Sequence, residues 1–304
     1  MKIKAYFWRK VVCLILKSRL RKRINNYDLY VIKGVPKTGF FSNYFYAVGH
    51  ARLASKYGYK YVIDWQNYTT PYNEKNPING TMNCFEYYFD QNTSIREVDL
   101  AKNIYVSEDK YPYCTVPHYG VNNFATEGFP NKKLVKKINA FTSKNCPLKS
   151  GLRNEFERLA FEMNLRNCLG VHIRGTDMNC TLGHNKPASL NKTVNMIKRT
   201  LSKTGLNQIF LCTDEEKIKN QLIETFGDKV KCLEVYRSNG GNEGIHLENC
   251  VKNRESHNYL LGLEVLRDAY LLSKCSSLVC GKSNVAYSAI VFNNNCYNKI
   301  VLTN

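Results

Sequence analysis

The sequence predicts an α/β protein built on parallel sheets, and three observations predict it. From residue 168 onward, short apolar runs alternate with helix-length segments. Near the start, a strand-like run, a Gly-containing turn, a helical segment and a second strand-like run make a βαβ unit. The 304 residues are 43% hydrophobic and 12% aromatic, enough for two domains at roughly 150 residues each and too apolar for disorder or a fibrous repeat. No run approaches the roughly eighteen apolar residues of a spanning helix.

Residues 1–23 carry nine basic groups and no acid, out of a formal net charge of +19. Val11, Val12, Leu14, Ile15, Leu16 and Leu20 form an apolar stripe beside Trp8. That composition fits an amphipathic helix lying on an anionic membrane surface. Two other readings compete. A signal peptide is disfavoured by an apolar core of only about six residues, an Arg-rich flank and the lack of a small-residue cleavage site; an ordinary helix packed on the body remains open.

LYVIKG (29–34) reads as a strand. In the next segment Phe41, Phe45, Val48 and Arg52, with Ala47, Ala51 and Ala54, recur at helical spacing until Gly58 stops them. KYVIDW (60–65) is the second strand. Residues 66–130 are rich in Asn, Tyr, Pro and Gly. They read as long loops whose tyrosines suit a polar substrate cleft. Helices are expected at about 131–145 and 149–166. Then come CLGVHI (168–173) as a buried strand, a helix at 189–203, QIFLCT (208–213) as a strand and a helix at 215–227. VKCLEV (230–235) is a strand, followed by a long helix at 257–275, SLVC (277–280) as a strand, a helix at 284–292 and KIVLT (299–303) as the last strand. Apolar strands alternating with helices belong in a parallel sheet covered on both faces.

Ligands of such sheets bind at the carboxyl ends of the strands. Three polar clusters stand there. His172, Arg174 and Asp177 follow one strand; Thr213 and Asp214 follow another; Gly281, Lys282, Ser283 and Asn284 lie between a strand and a helix N-terminus. Backbone N–H groups at such an N-terminus, with a hydroxyl and a lysine, suit a phosphate, and Arg174 offers a bidentate fork. Asp268, in the helix before that loop, is placed to accept paired donors from a purine edge. Each cluster also has a plainer reading. Thr213-Asp214 and Ser283 would serve as helix caps, and His172 as a core histidine.

The twelve cysteines include no Cys-x-x-Cys pair and no spacing typical of zinc. Cys168, Cys212 and Cys280 lie in apolar runs and read as small buried hydrophobes. A reducing cytosol is the simpler setting for them. With the basic arm, this gives a cytoplasmic protein peripheral to the inner face of a membrane.

HIRGTD (172–177), Gly183-His184, IFLCTDEE (209–216) and LRDAYLLSKCSSLVCGKSN (266–284) occur in that order. Together they resemble the GDP-fucosyltransferase superfamily, most closely its α-1,6-fucosyltransferase branch, which includes the rhizobial nodulation enzymes. The segment from GFFSNYFYAVGHARLASKYG to YVIDW is similar to that branch too, so the likeness covers roughly 28–65 and 165–302. The resemblance implies a GT-B-like fold, two Rossmann-like domains with parallel sheets. The arm would span 1–25, an N-terminal acceptor-side domain 26–150 and a C-terminal nucleotide-sugar-binding domain 151–304. It implies that Arg174 holds the β-phosphate, that Ser283 or Asn284 binds phosphate, that His172 and Asp268 serve guanine, and that Asp177 and Asp214 shape the site. The sequence departs from the pattern in two places. Gly175 stands where a second basic residue is common, and Thr181-Leu182 where the animal α-1,6 enzymes carry an acidic residue. Asp64, Asp177 and His184 are then the candidates for a general base.

The chain contains no Asp-x-Asp, and the nearest pattern is Glu97-Val98-Asp99. That agrees with an enzyme that binds no metal and has no cofactor beyond its GDP-fucose donor. The expected activity is an inverting transfer of fucose to a hydroxyl of a glycan or lipid-linked glycan. Its rivals are another donor such as GDP-mannose and a non-catalytic nucleotide- or glycan-binding protein. Nucleic acid is not an expected partner, since interleaved basic and aromatic strand motifs are missing.

Overall fold

The computed structural model describes residues 26–107, 131–175, 188–238 and 254–303. The basic arm, Asp177 and His184 lie outside the described residues. The chain divides into two compact units. One takes the sequence up to Thr38, from Ser42 through the third strand, and Phe141–Leu148; the other takes Gly39–Phe41 and the main run from Lys149 onward.

The first unit holds a three-stranded parallel sheet. Strand β1 (Leu29–Lys33) lies between β2 (Tyr61–Asp64) and β3 (Ile104–Val106). Helix α1 (Phe40–Tyr57) connects β1 to β2 as the periodicity predicts. β3 was not legible in the sequence, because three residues flanked by polar ones carry too little pattern. Short helices Phe85–Tyr88 (α2) and Glu97–Leu100 (α3) occupy the long connection. The tyrosine-lined cleft expected there is not what its described part forms. Tyr72, Tyr87 and Tyr88 are buried with Phe85, Phe89 and Trp65, and Tyr44 stacks on Phe89 at 4.9 Å. Burying the rings outweighs wetting the hydroxyls, since each ring removes a large apolar area from water.

The second unit contains helices α4 (Lys132–Asn145, its C-terminal end in the first unit) and α5 (Ser150–Glu162), then the expected alternation. β4 (Cys168–Ile173), α6 (Leu190–Thr204), β5 (Gln208–Thr213), α7 (Glu216–Phe226), β6 (Val230–Lys231), α8 (His257–Leu272), β7 (Ser277–Cys280), α9 (Asn284–Phe292) and β8 (Lys299–Leu302) follow in order. All five strands are parallel, in the order β6-β5-β4-β7-β8. β6 is shorter than the six residues expected. After Lys231 the chain leaves the ladder for the carboxyl rim, where Ser238 N–H donates to the Asp214 carbonyl at 2.9 Å.

Side chains alternate across this sheet. Leu169, Val171, Ile173, Ile209, Leu211 and Val279 pack with Ile197 of α6 and Leu222 of α7. Gly170 lies on the opposite face, where an added Cβ would stand 3.1 Å from Cys275 Cβ and 3.2 Å from Leu272 Cδ2. A larger residue here would require Cys275 and Leu272 to give by a few tenths of an ångström, so glycine suits the close approach of this segment to the central strand. Cys168, Cys212 and Cys280 are buried free thiols, as read from their apolar surroundings, and Cys275 is another. Among the described residues no helix is long and apolar enough to cross a membrane.

Candidate functional site

The strand order places β4 first in sequence and β7 fourth, side by side, with the chain proceeding outward on either hand. Between them lies the switch point, the place at the carboxyl ends where open α/β sheets bind their ligands. His172 stands there, with Cys212 of β5 and Cys280 of β7 as its register partners.

His172 is 7% exposed, and Ser283 Oγ lies 3.4 Å from its Nδ1. Ser283 also caps α9, accepting the Ala286 N–H at 3.1 Å. The capping role and a place beside His172 thus coexist in one hydroxyl. Burial, and then the Arg174 charge, depress the His172 imidazole to about 3, so the ring is neutral and works as a hydrogen-bonding group rather than a cation. The consequence for stability has a definite sign. Between pH 6.5 and 3 the unfolded chain binds a proton that the native ring refuses, so this group makes stability fall as pH falls. Asp268, with a raised carboxyl, acts in the opposite sense, so variant and parent must be compared at each pH. His172→Gln should lose less stability than the parent between pH 7 and pH 5 in urea unfolding; an equal loss would refute the assignment.

Arg174 follows β4 with its Nε 3.9 Å from Asp214 Oδ2, the two side chains 25% and 22% exposed. Asp214 Oδ1 accepts the Gly175 N–H at 2.8 Å. The carboxylate therefore does not cap α7, whose N-cap is Glu215. It ties the end of β5 to the turn after β4. Thr213 Oγ1 receives the Glu215 N–H at 3.4 Å, a weak local bond.

Asn284 opens α9 with its Oδ1 buried and, among the described residues, without a hydrogen-bond partner, a group whose need a ligand would meet. Asp268 sits on α8 with its backbone carbonyl 3.9 Å from Cys212 Sγ. Burial pushes its carboxyl up to about 7 against the pull of Arg267 and Arg237, while Glu264 adds to the rise. Asp64, in the first unit, is fully buried. Its Oδ1 accepts the N–H groups of Gln66 (3.0 Å) and Asn67 (2.8 Å), and its Oδ2 accepts Asn67 Nδ2 (2.9 Å). Those bonds engage the carboxylate in holding the turn after β2.

Sequence reasoning missed two residues at this rim. Arg237, its side chain 3% exposed, donates to the Leu233 carbonyl at 2.6 Å and lies 3.7 Å from Glu216 Oε2. Its Nε has no hydrogen-bond partner among the described residues. It belongs to the irregular stretch after β6, which has no periodicity to mark it. Glu215 reads as a helix-opening residue but reaches back over Gly175. Arg254 pairs with Glu264 at 2.7 Å and lies over the Tyr236 ring, closing this side of the rim. Among the described residues no three His, Cys, Asp or Glu side chains are grouped to hold a metal ion.

The fold and these strand-end groups define a class: an α/β chain of GT-B-like type with two parallel sheets, its polar groups gathered where the strand order of the second sheet reverses. Its fold is that of the GDP-fucosyltransferase structures, as the sequence resemblance implies. One is NodZ α-1,6-fucosyltransferase soaked with GDP-fucose, at a TM-score of 0.51 and 17% identity over 86% of this chain and 92% of that one. Another is the selenomethionine form of fucosyltransferase NodZ from Bradyrhizobium, at 0.50 and 17% identity over 86% of this chain and 90% of that one. A third is NodZ co-crystallized with GDP, at 0.50 and 16% identity over 87% and 91%. No family model and no curated protein matches the chain by sequence.

Proposed function

We propose that the protein is an inverting glycosyltransferase that moves fucose from GDP-fucose to a hydroxyl of a glycan acceptor. The observation that carries this reading is the switch-point cluster, in which a forked cation, a capped helix N-terminus and a neutral histidine meet at the ends of adjacent strands. The NodZ structures that share the fold were prepared with GDP or GDP-fucose, which supports a guanine nucleotide donor here.

In this reading the bond between the sugar C1 and the β-phosphate oxygen breaks, and its electron pair leaves with GDP. Arg174 and the N-terminus of α9 meet the charge that develops on the departing diphosphate, so the chemistry makes no call on a metal. The acceptor oxygen bonds to C1 from the opposite face and releases its proton. With a highly dissociative transition state that proton leaves late and needs only a weak base. Asp177 and His184 are the candidates for it, while Asp64 is engaged in its own turn. His172 and Asp268 would face guanine. The basic arm, residues 1–23, would hold the enzyme on the inner face of a membrane beside a lipid-linked acceptor.

Competition binding separates the donors. GDP and GDP-fucose should displace a fluorescent GDP analogue at concentrations at least roughly tenfold below those needed by UDP or UDP-sugars, since a site built for a base edge rejects one that leaves its polar groups unpaired. Equal displacement by uridine nucleotides would rule the guanine assignment out. Preference for GDP-mannose over GDP-fucose would move the reading to another hexose.

A further inference from the structure

Gly175 sits between two neighbouring carboxylates. Its N–H is taken by Asp214 Oδ1 at 2.8 Å. A Cβ added to it would lie 2.1 Å from Glu215 Oε1, 2.2 Å from Cδ and 2.8 Å from Cγ. The Glu215 side chain thus fills the volume that any side chain at 175 would require. Gly175 is not among the residues with positive φ, so the demand is for room rather than for a left-handed backbone.

The root of the Glu215 side chain is fixed. Glu215 forms a bridge with Ser238, Ser238 N–H donates to the Asp214 carbonyl at 2.9 Å and Glu216 N–H to the Ser238 carbonyl at 3.1 Å. Its carboxyl end is flanked by Asp214 and Lys217 and occupies the seat over Gly175. Burial, and then the Asp214 charge, raise that carboxyl above its ordinary range. Glutamate fills this seat out to its Oε1; aspartate, one methylene shorter, leaves the far end empty.

We propose that Glu215 is a positioning residue for Arg174. Seated over Gly175, it presses on the backbone that Asp214 grips through the amide, and so sets where the Arg174 guanidinium meets the donor diphosphate. This rests on the nucleotide-sugar reading, and it adds a residue and a size constraint which that reading does not contain. Small displacements of such a group are costly, because the catalytic benefit depends on alignment.

The test is a double-mutant cycle read by GDP titration calorimetry on the full chain. Gly175→Ala expels the Glu215 side chain from its seat, and Glu215→Ala empties the seat. Each should weaken GDP roughly tenfold, and the double variant should be no weaker than the weaker single, because both lose the same contact. Glu215→Gln fills the same volume and should bind within about threefold of the parent, whereas Glu215→Asp should behave like Glu215→Ala. Additive losses, either single alanine variant binding like the parent, or a Gln variant as weak as the Ala variant would overturn the proposal. Should Gly175→Ala fail to fold, the Ala, Gln and Asp variants at 215 decide it. A parent chain that does not bind GDP would overturn the nucleotide reading and this one with it. A parent that binds GDP while the variants at 175 and 215 make no difference overturns this one alone.

Discussion

Arg174→Ala is expected to lower turnover of GDP-fucose by about 10²–10³-fold, the usual loss when one donor to a developing anion is removed. The thermal unfolding midpoint should barely move. The side chain is partly exposed and its Nε lies 3.9 Å from Asp214 Oδ2, so little stability depends on that pair. Asp214 keeps its bond to the Gly175 N–H and continues to hold the turn. Arg174→Lys should recover little of the loss, because an ammonium cannot reproduce the two parallel bonds of a guanidinium fork. Donor hydrolysis and transfer, with the unfolding midpoint recorded alongside, check both variants. Full turnover in the alanine variant would remove Arg174 from the mechanism.

Asp268 makes the second large effect, and it is an effect of pH. Its carboxyl, pushed up to about 7, is half protonated near neutrality. Only the ionised form accepts both the N1–H and N2–H donors of guanine. Affinity should therefore be full above pH 8 and fall toward about tenfold per unit as pH drops below 7. GDP-fucose is the ligand to use, since its diphosphate carries no group titrating in this window. His172, depressed to about 3, does not change charge in it either. Asp268→Asn should weaken binding at pH 8 by roughly a hundredfold, the worth of charge-assisted bonds lost at a polar edge, and should flatten the profile. An affinity that is constant from pH 5 to 8 in the parent would show that Asp268 does not read the base.

Much of the second unit was legible before the structure. Strands Cys168–Ile173, Gln208–Thr213 and Ser277–Cys280 and helix Asn284–Phe292 have the boundaries read from their apolar runs. Buried parallel strands are nearly continuous hydrophobic stretches, and such stretches announce themselves. β6 and β3 did not. An edge strand of two residues and a strand of three carry too little pattern to distinguish from loop. The tyrosines of the first unit were misread for a related reason, because composition does not say which way a ring faces.

The candidate site divides along the same line. The sequence by itself placed His172, Arg174, Asp214, Ser283 and Asn284 at strand ends, since each directly follows or closes an apolar run. It also offered capping as the rival role for Ser283 and Asp214. Tertiary structure decided between these readings, and differently for each. Ser283 caps its helix while standing beside His172. Asp214 does not cap, and reaches to the peptide of Gly175 on the neighbouring strand's turn. Strand order, the seat of Glu215 over Gly175 and the burial that neutralises His172 all depend on pairing between segments about 40 to 110 residues apart in sequence. Local pattern says which residues can lie at a strand end; only the ladder that joins distant strands says which of them meet.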